Sequence, residues 1–429
     1  MATTTTTDTE PTATPPIRSP RLRPFSQLRE LFNADQIDLA ALRRLCFSGI
    51  PDNDRLRPLC WRVLLNYLPT KQSVWDECLD KQRKTYAGFV ADLIVRPGAS
   101  GDQQNHKVSN NEHDAMAGDH PLSTNPDSAW SAYFKENEHL AQIDKDVRRL
   151  CPEISFFQQA TEYPCLAICC DPTVEPLRSR IERTFLDSRE MRSDRTGAYN
   201  LVERSKRKMA TEEYSPLADG CEAHWEVVER ILFLYAKLNP GVKYVQGMNE
   251  ILGPIYYVFA SDPDPEWAAY AEADAFYCFQ NLLSEIKDYF IRPLDSSSCG
   301  IEASMSALYD LLKHHDECLH HHLNSLSLLP EYFAFRWISL LLSQEFQLPD
   351  VIQIWDSLFS DDSRFEFLLY VCLAMIIHAR AALLSADFSG AMKLLQNYQT
   401  ADVARLVMLA AQLRHGSVVA EAARRKWSS

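Results

Sequence analysis

Leucine, alanine and arginine recur at three- and four-residue spacing along most of this chain, which is the period of helices with one buried face. Nowhere do valine, isoleucine or threonine alternate with polar residues over a convincing strand length, and glycine is scarce. The pattern predicts an all-α protein. Asp38 is placed to cap a helix over Leu39–Phe47, with Leu42 and Leu45 on one face and Gly49 as its stop. A second helix is expected over Arg55–Leu68, ending at Pro69. Glu222–Leu238 presents Val228, Ile231, Leu232 and Tyr235 on one face and stops at Asn239-Pro240-Gly241. Further helices are expected over Val245–Phe259, Pro265–Leu283, Ile301–Lys313, Pro330–Gln344, Leu348–Phe359 and Phe365–Leu384. The most apolar of these, Phe365–Leu384, is interrupted by Glu366, His378 and Arg380, so it reads as a buried core helix with no uninterrupted stretch long enough to span a bilayer.

Three stretches break the helical pattern. Met1–Pro24 is rich in threonine and proline and has no apolar run that would serve as a signal peptide, so it is expected to be a disordered tail. Pro97–Asp127 is rich in Gly, Asn, Asp, Ser and His and nearly devoid of large apolar residues, which predicts a disordered insertion. Ala160–Gly220 mixes Cys165, Cys169 and Cys170 with charged runs and turn residues and is expected to be a second insertion. The organisation that follows is a tail over 1–24, an elongated helical domain over 25–384 with insertions at 97–127 and 160–220, and a helical extension over 385–429.

Composition narrows the function. The chain has 429 residues, 46% of them apolar, which is enough for a large core, and a formal net charge of −14. That charge argues against a nucleic-acid or anionic-membrane binder. Twelve cysteines are scattered without a C-x-x-C pair, and Cys46, Cys60, Cys278 and Cys372 fall in apolar helical stretches, as reduced thiols of a cytoplasmic protein do. There is no G-x-x-x-x-G-K-[ST], G-x-G-x-x-G, H-E-x-x-H or G-x-S-x-G segment, so the sequence offers no phosphate cradle, zinc-protease helix or nucleophile elbow of its own. Phosphate chemistry would have to take place on a nucleotide held by a partner.

Two short segments carry the candidate chemistry: Ile143-Asp144-Lys145-Asp146-Val147-Arg148-Arg149 and Tyr244-Val245-Gln246-Gly247-Met248-Asn249. Phosphoryl transfer needs positive charge against the transferring oxygens and a group that orients the attacking water, and a guanidinium and a side-chain amide supply them. The pair resembles the I-x-x-D-x-x-R and Y-x-Q-G-M segments of the TBC-domain Rab GTPase-activating proteins. Arg57-Pro58-Leu59-Cys60-Trp61-Arg62-Val63-Leu64-Leu65 resembles that family's opening R-x-x-x-W-x-x-L-L motif, and Arg336-Trp337 and Ile354-Trp355-Asp356-Ser357-Leu358-Phe359 resemble its closing segments. The matches run in order from about Leu39 to about Leu384.

The resemblance implies a GTPase activator in membrane trafficking that completes the active site of a GTP-bound Rab. Arg149 and Gln246 would be the two catalytic groups, each on a helical frame. Asp146 would hold the guanidinium, Gly247 would let the backbone approach the partner, Tyr244 and Met248 would pack the loop, and Arg57 and Trp61 would support the domain. GTP and Mg²⁺ would belong to the Rab, with no metal or cofactor in this chain, and the protein would be cytoplasmic and reach endomembranes only through the Rab. One departure stands out: the family usually has threonine after the arginine, where this chain has Leu150. If that threonine fixes the arginine loop, a catalytically weak Rab-binding scaffold is the alternative. His314, Cys318 and His322, at i, i+4 and i+8, suggest a metal face but read better as a solvated histidine cluster, and Arg204-Ser205-Lys206-Arg207-Lys208 reads as a solvated loop.

Overall fold

The computed structural model describes residues 22–51, 55–95, 129–170, 174, 176–181, 214–218, 220–290, 300–399 and 402–427. Helices dominate them, and the β pairing they contain is limited to two isolated bridges, Gln36 with Lys71 and Ala160 with Ala223. The insertion expected at 97–127, the run 204–208 and the tail up to residue 21 lie outside the described residues. The first helix, α1 (Leu22–Leu31), takes in the last three residues of the segment assigned to the tail.

Local rules account for most boundaries. In α2 (Leu39–Cys46), Asp38 caps the start by accepting from the Ala40 and Ala41 amides, and Leu42 and Cys46 are buried. Gly49, at φ 96°, then turns the chain where a side chain would be strained. After it come α3 (Leu56–Leu64), α4 (Trp75–Val90) and α5 (Ala129–Val147). The helix expected over Pro330–Gln344 is instead a 3-10 turn at Pro330–Tyr332 followed by a short helix, Ala334–Ser339. Leu341 and Leu342 both adopt positive φ, 51° and 65°, and are buried. Core packing therefore overrides the helical pattern there. The apolar stretch Phe365–Leu384 likewise divides into Arg364–His378 and Arg380–Ser385.

Distant parts of the sequence are fastened by buried charges. Asp356, in the helix Leu348–Ser360, accepts from the Ile50 amide and the Trp61 indole at 2.8 Å each and from Arg57 at 3.1 Å, joining the domain's opening motif to its closing one. Burial, opposed by Arg57, pushes its carboxyl up to about 6. Arg57 and Trp61 thus stabilise the fold: both are tied to Asp356, and the Trp61 ring also packs on Trp355 and Phe359. Asp274 is a second hub, accepting from Arg62, Tyr67 and Arg83. Trp61, Trp225, Trp337 and Trp355 fill the core around these ties, each fully buried.

Two boundaries differ from the sequence pattern. The stretch 160–220 is seated in the core at both ends: Ile168, Val174, Leu177 and Ile181 are buried on one side and Tyr214 on the other. Arg180, also buried, donates to Asn137 of α5. The extension over 385–429 is continuous with the same core. Its long helix, Val403–Trp427, packs along Arg364–His378 and Leu348–Ser360 and buries Leu406, Val407 and Ala410. Cys46, Cys60, Cys278 and Cys372 are free and buried. No helix among the described residues is long and apolar enough to cross a membrane.

Candidate functional site

Three helices bring the two motif segments together: α5, α6 (His224–Leu238) and α7 (Met248–Ala260), with α5 packed on α6 and both against α7. Leu140, Ile143 and Val147, at helical spacing, form the fully buried face of α5. The helix ends at Val147, so Arg149 stands two residues beyond it, and Gln246 stands two residues before α7. Neither is on a helix. Both are delivered by turns at helix ends and are exposed, where a helix interior would have fixed their direction.

The two neighbouring arginines part ways. Arg148 is drawn inward, donating to Asp144 at 2.7 Å and to the Tyr214 carbonyl at 2.9 Å, with its guanidinium over the Trp225 ring at 4.6 Å. Arg149 remains 53% exposed. Its Nε donates to the Lys145 carbonyl at 2.9 Å, and its Nη2 lies 3.6 Å from Asp146 Oδ1. The side chain is folded back on the C-terminal turn of α5, where carbonyls lack helical partners and favour a cation. The tether is a surface interaction of small net strength, so the guanidinium is free to swing outward.

Asp146 links the segments. Tyr244 donates to its Oδ2 at 2.7 Å, while Oδ1 faces Arg149. Burial and the adjacent carboxylate push the Tyr244 phenol well up, so it stays a donor at any physiological pH. Asn249, in the first turn of α7, donates to the Asp146 carbonyl at 3.4 Å. Met248 is fully buried, its Sδ 3.4 Å from the Val245 amide. Gly247 has φ 99°, and a Cβ there would lie 2.7 Å from Leu340 Cδ2. Within the chain, the close approach that this glycine permits is to Leu340.

Leu150 also has a structural explanation. It is fully buried, and a Cβ on Gly253 of α7 would meet its Cδ1 at 2.9 Å. The larger side chain fills a space that a glycine leaves open, and the Tyr214 hydroxyl donates to the Leu150 carbonyl at 2.5 Å. Leu150→Thr should therefore lower stability by about 1–3 kcal/mol in chemical denaturation, through a cavity and a buried hydroxyl. Equal stability together with faster stimulated hydrolysis in that variant would show that leucine weakens the arginine turn.

Glu250 extends the network. It accepts from Asn249 at 3.0 Å. Burial pushes its carboxyl up to about 7 against the hydrogen bonds from Asn249 and Gln344, with Glu153 and Asp146 adding to the rise. Its folded-state pKa exceeds the ordinary 4.5, so folding favours the protonated form. The stability it contributes is fully present below that value and is lost as pH rises through about 7. Glu250→Gln should flatten the decline in stability between pH 5 and 8, by on the order of 1–3 kcal/mol, in denaturation series at fixed ionic strength. An unchanged pH slope would contradict this environment.

The suggested histidine face is not continuous. One helix ends at His315 and the next begins at Glu317, with Asp316 capping it through the Leu319 amide. Among the described residues no group of three or more His, Cys, Asp or Glu side chains is placed to hold a metal.

The helical fold agrees with what known proteins show. Residues 216–384 match the Rab-GTPase-TBC domain, a stretch that includes Gln246 and leaves Arg149 upstream. The chain is 52% identical over 394 residues to human TBC1 domain family member 13, covering 91% of this chain and 97% of that one, and 53% identical to its mouse counterpart. A TBC domain-containing protein of Schizosaccharomyces pombe is 34% identical over 91% of this chain and 72% of its own length. The crystal structure of the Ypt/Rab-GAP domain of Gyp1p superposes with a TM-score of 0.63 at 21% identity, over 93% of this chain and 98% of that one, a likeness of fold. The chain belongs to the RabGAP-TBC family.

Proposed function

We propose that this protein stimulates GTP hydrolysis by a Rab-family GTPase, supplying Arg149 and Gln246 in trans to a nucleotide that the Rab holds with its own Mg²⁺. The observation that carries the reading is the parting of Arg148 and Arg149: one guanidinium is committed to the fold, and the next is left in solvent on a weak tether. An arginine finger must be held at its base and mobile at its tip. The Asp146 carbonyl, which takes the Arg149 amide, and the Tyr214 hydroxyl on the Leu150 carbonyl hold the base, and release from the Lys145 carbonyl and the Asp146 carboxylate frees the tip. At the γ-phosphate the planar fork would neutralise charge on the transferring oxygens. Gln246, exposed beside it, would accept from and donate to the attacking water. Leu150, whose presence would favour a binding-only scaffold, is accounted for by its packing on Gly253. The net charge of −14 gives an anionic membrane little to attract, so membrane contact in trafficking would come through the Rab, from a cytoplasmic pool.

Single-turnover hydrolysis across a panel of purified GTP-loaded Rab proteins tests this. At least one should be accelerated by several orders of magnitude. Tight association with GTP-loaded partners and no acceleration of any would replace the reading with a scaffold.

A further inference from the structure

We infer that Asn249 is a positioning residue that pins the arginine turn to the glutamine turn, an inference that rests on the roles proposed for Arg149 and Gln246. Asn249 is 2% exposed, and its amide is engaged on every side. Nδ2 donates to the Asp146 carbonyl at 3.4 Å and to Glu250 at 3.0 Å, and Oδ1 faces the Tyr244 hydroxyl at 3.3 Å. The Asp146 carbonyl is the one that also receives the Arg149 amide, at 3.2 Å, so Asn249 grips the turn that launches the finger. Its own backbone lies three residues after Gln246, in the first turn of α7. One side chain therefore spans the two segments that must present their donors in a fixed relation, although 103 residues separate Asn249 from Asp146 in sequence. Only a carboxamide combines two donors and an acceptor in this space: aspartate loses both donors, and alanine loses all three. The position carries no charge and reaches no solvent, so it acts through Arg149 and never on the nucleotide.

A displacement of about 1 Å at a reacting group can cost on the order of 10²-fold in rate. Asn249→Ala and Asn249→Asp should therefore lower the saturating rate of stimulated hydrolysis by roughly 10- to 100-fold, with half-saturating Rab concentration changed little. A residue that merely holds the fold together would cost the same factor whether or not Arg149 is present. The decisive comparison is thus a cycle with Arg149→Ala: the Asn249→Ala loss should shrink to within about 3-fold in that background, as for residues acting as a unit. Equal losses in both backgrounds overturn the inference. Amide hydrogen exchange on the free protein decides it independently of any GTPase. Asn249→Ala should speed exchange across both 145–151 and 243–248 while the rest of α5 and α7 stays protected. Unchanged exchange in 145–151 overturns the pin. If no Rab responds to the wild-type chain, the proposed activity fails, while the exchange result still stands for or against Asn249.

Discussion

Arg149→Ala should reduce stimulated hydrolysis by 10³-fold or more, since arginine fingers are worth about 10³–10⁵. That range corresponds to roughly 4–7 kcal/mol of transition-state stabilisation at about 1.36 kcal/mol per decade. Arg149→Lys should lose nearly as much, because an ammonium is a point charge and does not reproduce the planar fork. Stability should hardly move, since the side chain is 53% exposed and its tethers are surface interactions. Arg148→Ala should behave in the opposite way. It removes contacts to Asp144, Tyr214 and Trp225, so the expected change is a lower unfolding midpoint with a largely retained rate per folded molecule. Measuring rate and unfolding on the same preparations separates the two residues. Full activity in Arg149→Lys would remove the finger assignment.

Gln246→Ala is expected to lower the saturating rate by on the order of 10²-fold, the usual effect of losing one well-placed donor near developing charge. Association with the GTP-loaded Rab should be nearly unchanged, because it draws on an interface of roughly 1,200–2,000 Å² to which one exposed amide adds little. Gly247→Ala provides the contrast. Its Cβ would lie 2.7 Å from Leu340 Cδ2 at a backbone φ of 99° that strains any side chain, so the turn carrying Gln246 should be disturbed. A rise in half-saturating Rab concentration with an unchanged saturating rate in Gln246→Ala would mean that the amide binds and does not position water.

The segments that resembled a known family were legible because each contains a residue type that a helix end or a tight turn needs at a fixed spacing. The Asp146–Arg149 pair is one helical turn apart, and Gly247 takes a left-handed conformation. Helix existence was legible from three- and four-residue periodicity, and Asp38 gave one boundary correctly through its cap. What the periodicity missed was decided by the core. Leu341 and Leu342 adopt positive φ to bury their side chains, and no local signal announces that. The same holds at the site. Tyr214 fastens the arginine turn from 64 residues away in sequence, and Leu340 shapes the Gly247 turn from beyond α7. Asn249 was visible as the end of the Tyr244–Asn249 segment, but its role depends on a carbonyl of another helix. Arg149 was singled out over Arg148 by its place in the I-x-x-D-x-x-R segment, whereas the engagement of Arg148 with Trp225 and Tyr214 had no signal in the sequence.

The most direct test of two donors acting in trans uses a Rab that the wild-type chain activates, with the Rab's own water-positioning glutamine replaced by alanine. If Gln246 takes over that task, single-turnover hydrolysis by the altered Rab should still be stimulated strongly by the wild-type chain and much less by Gln246→Ala. No stimulation of the altered Rab, with binding intact, would contradict the account and leave Arg149 acting alone beside a glutamine supplied by the Rab.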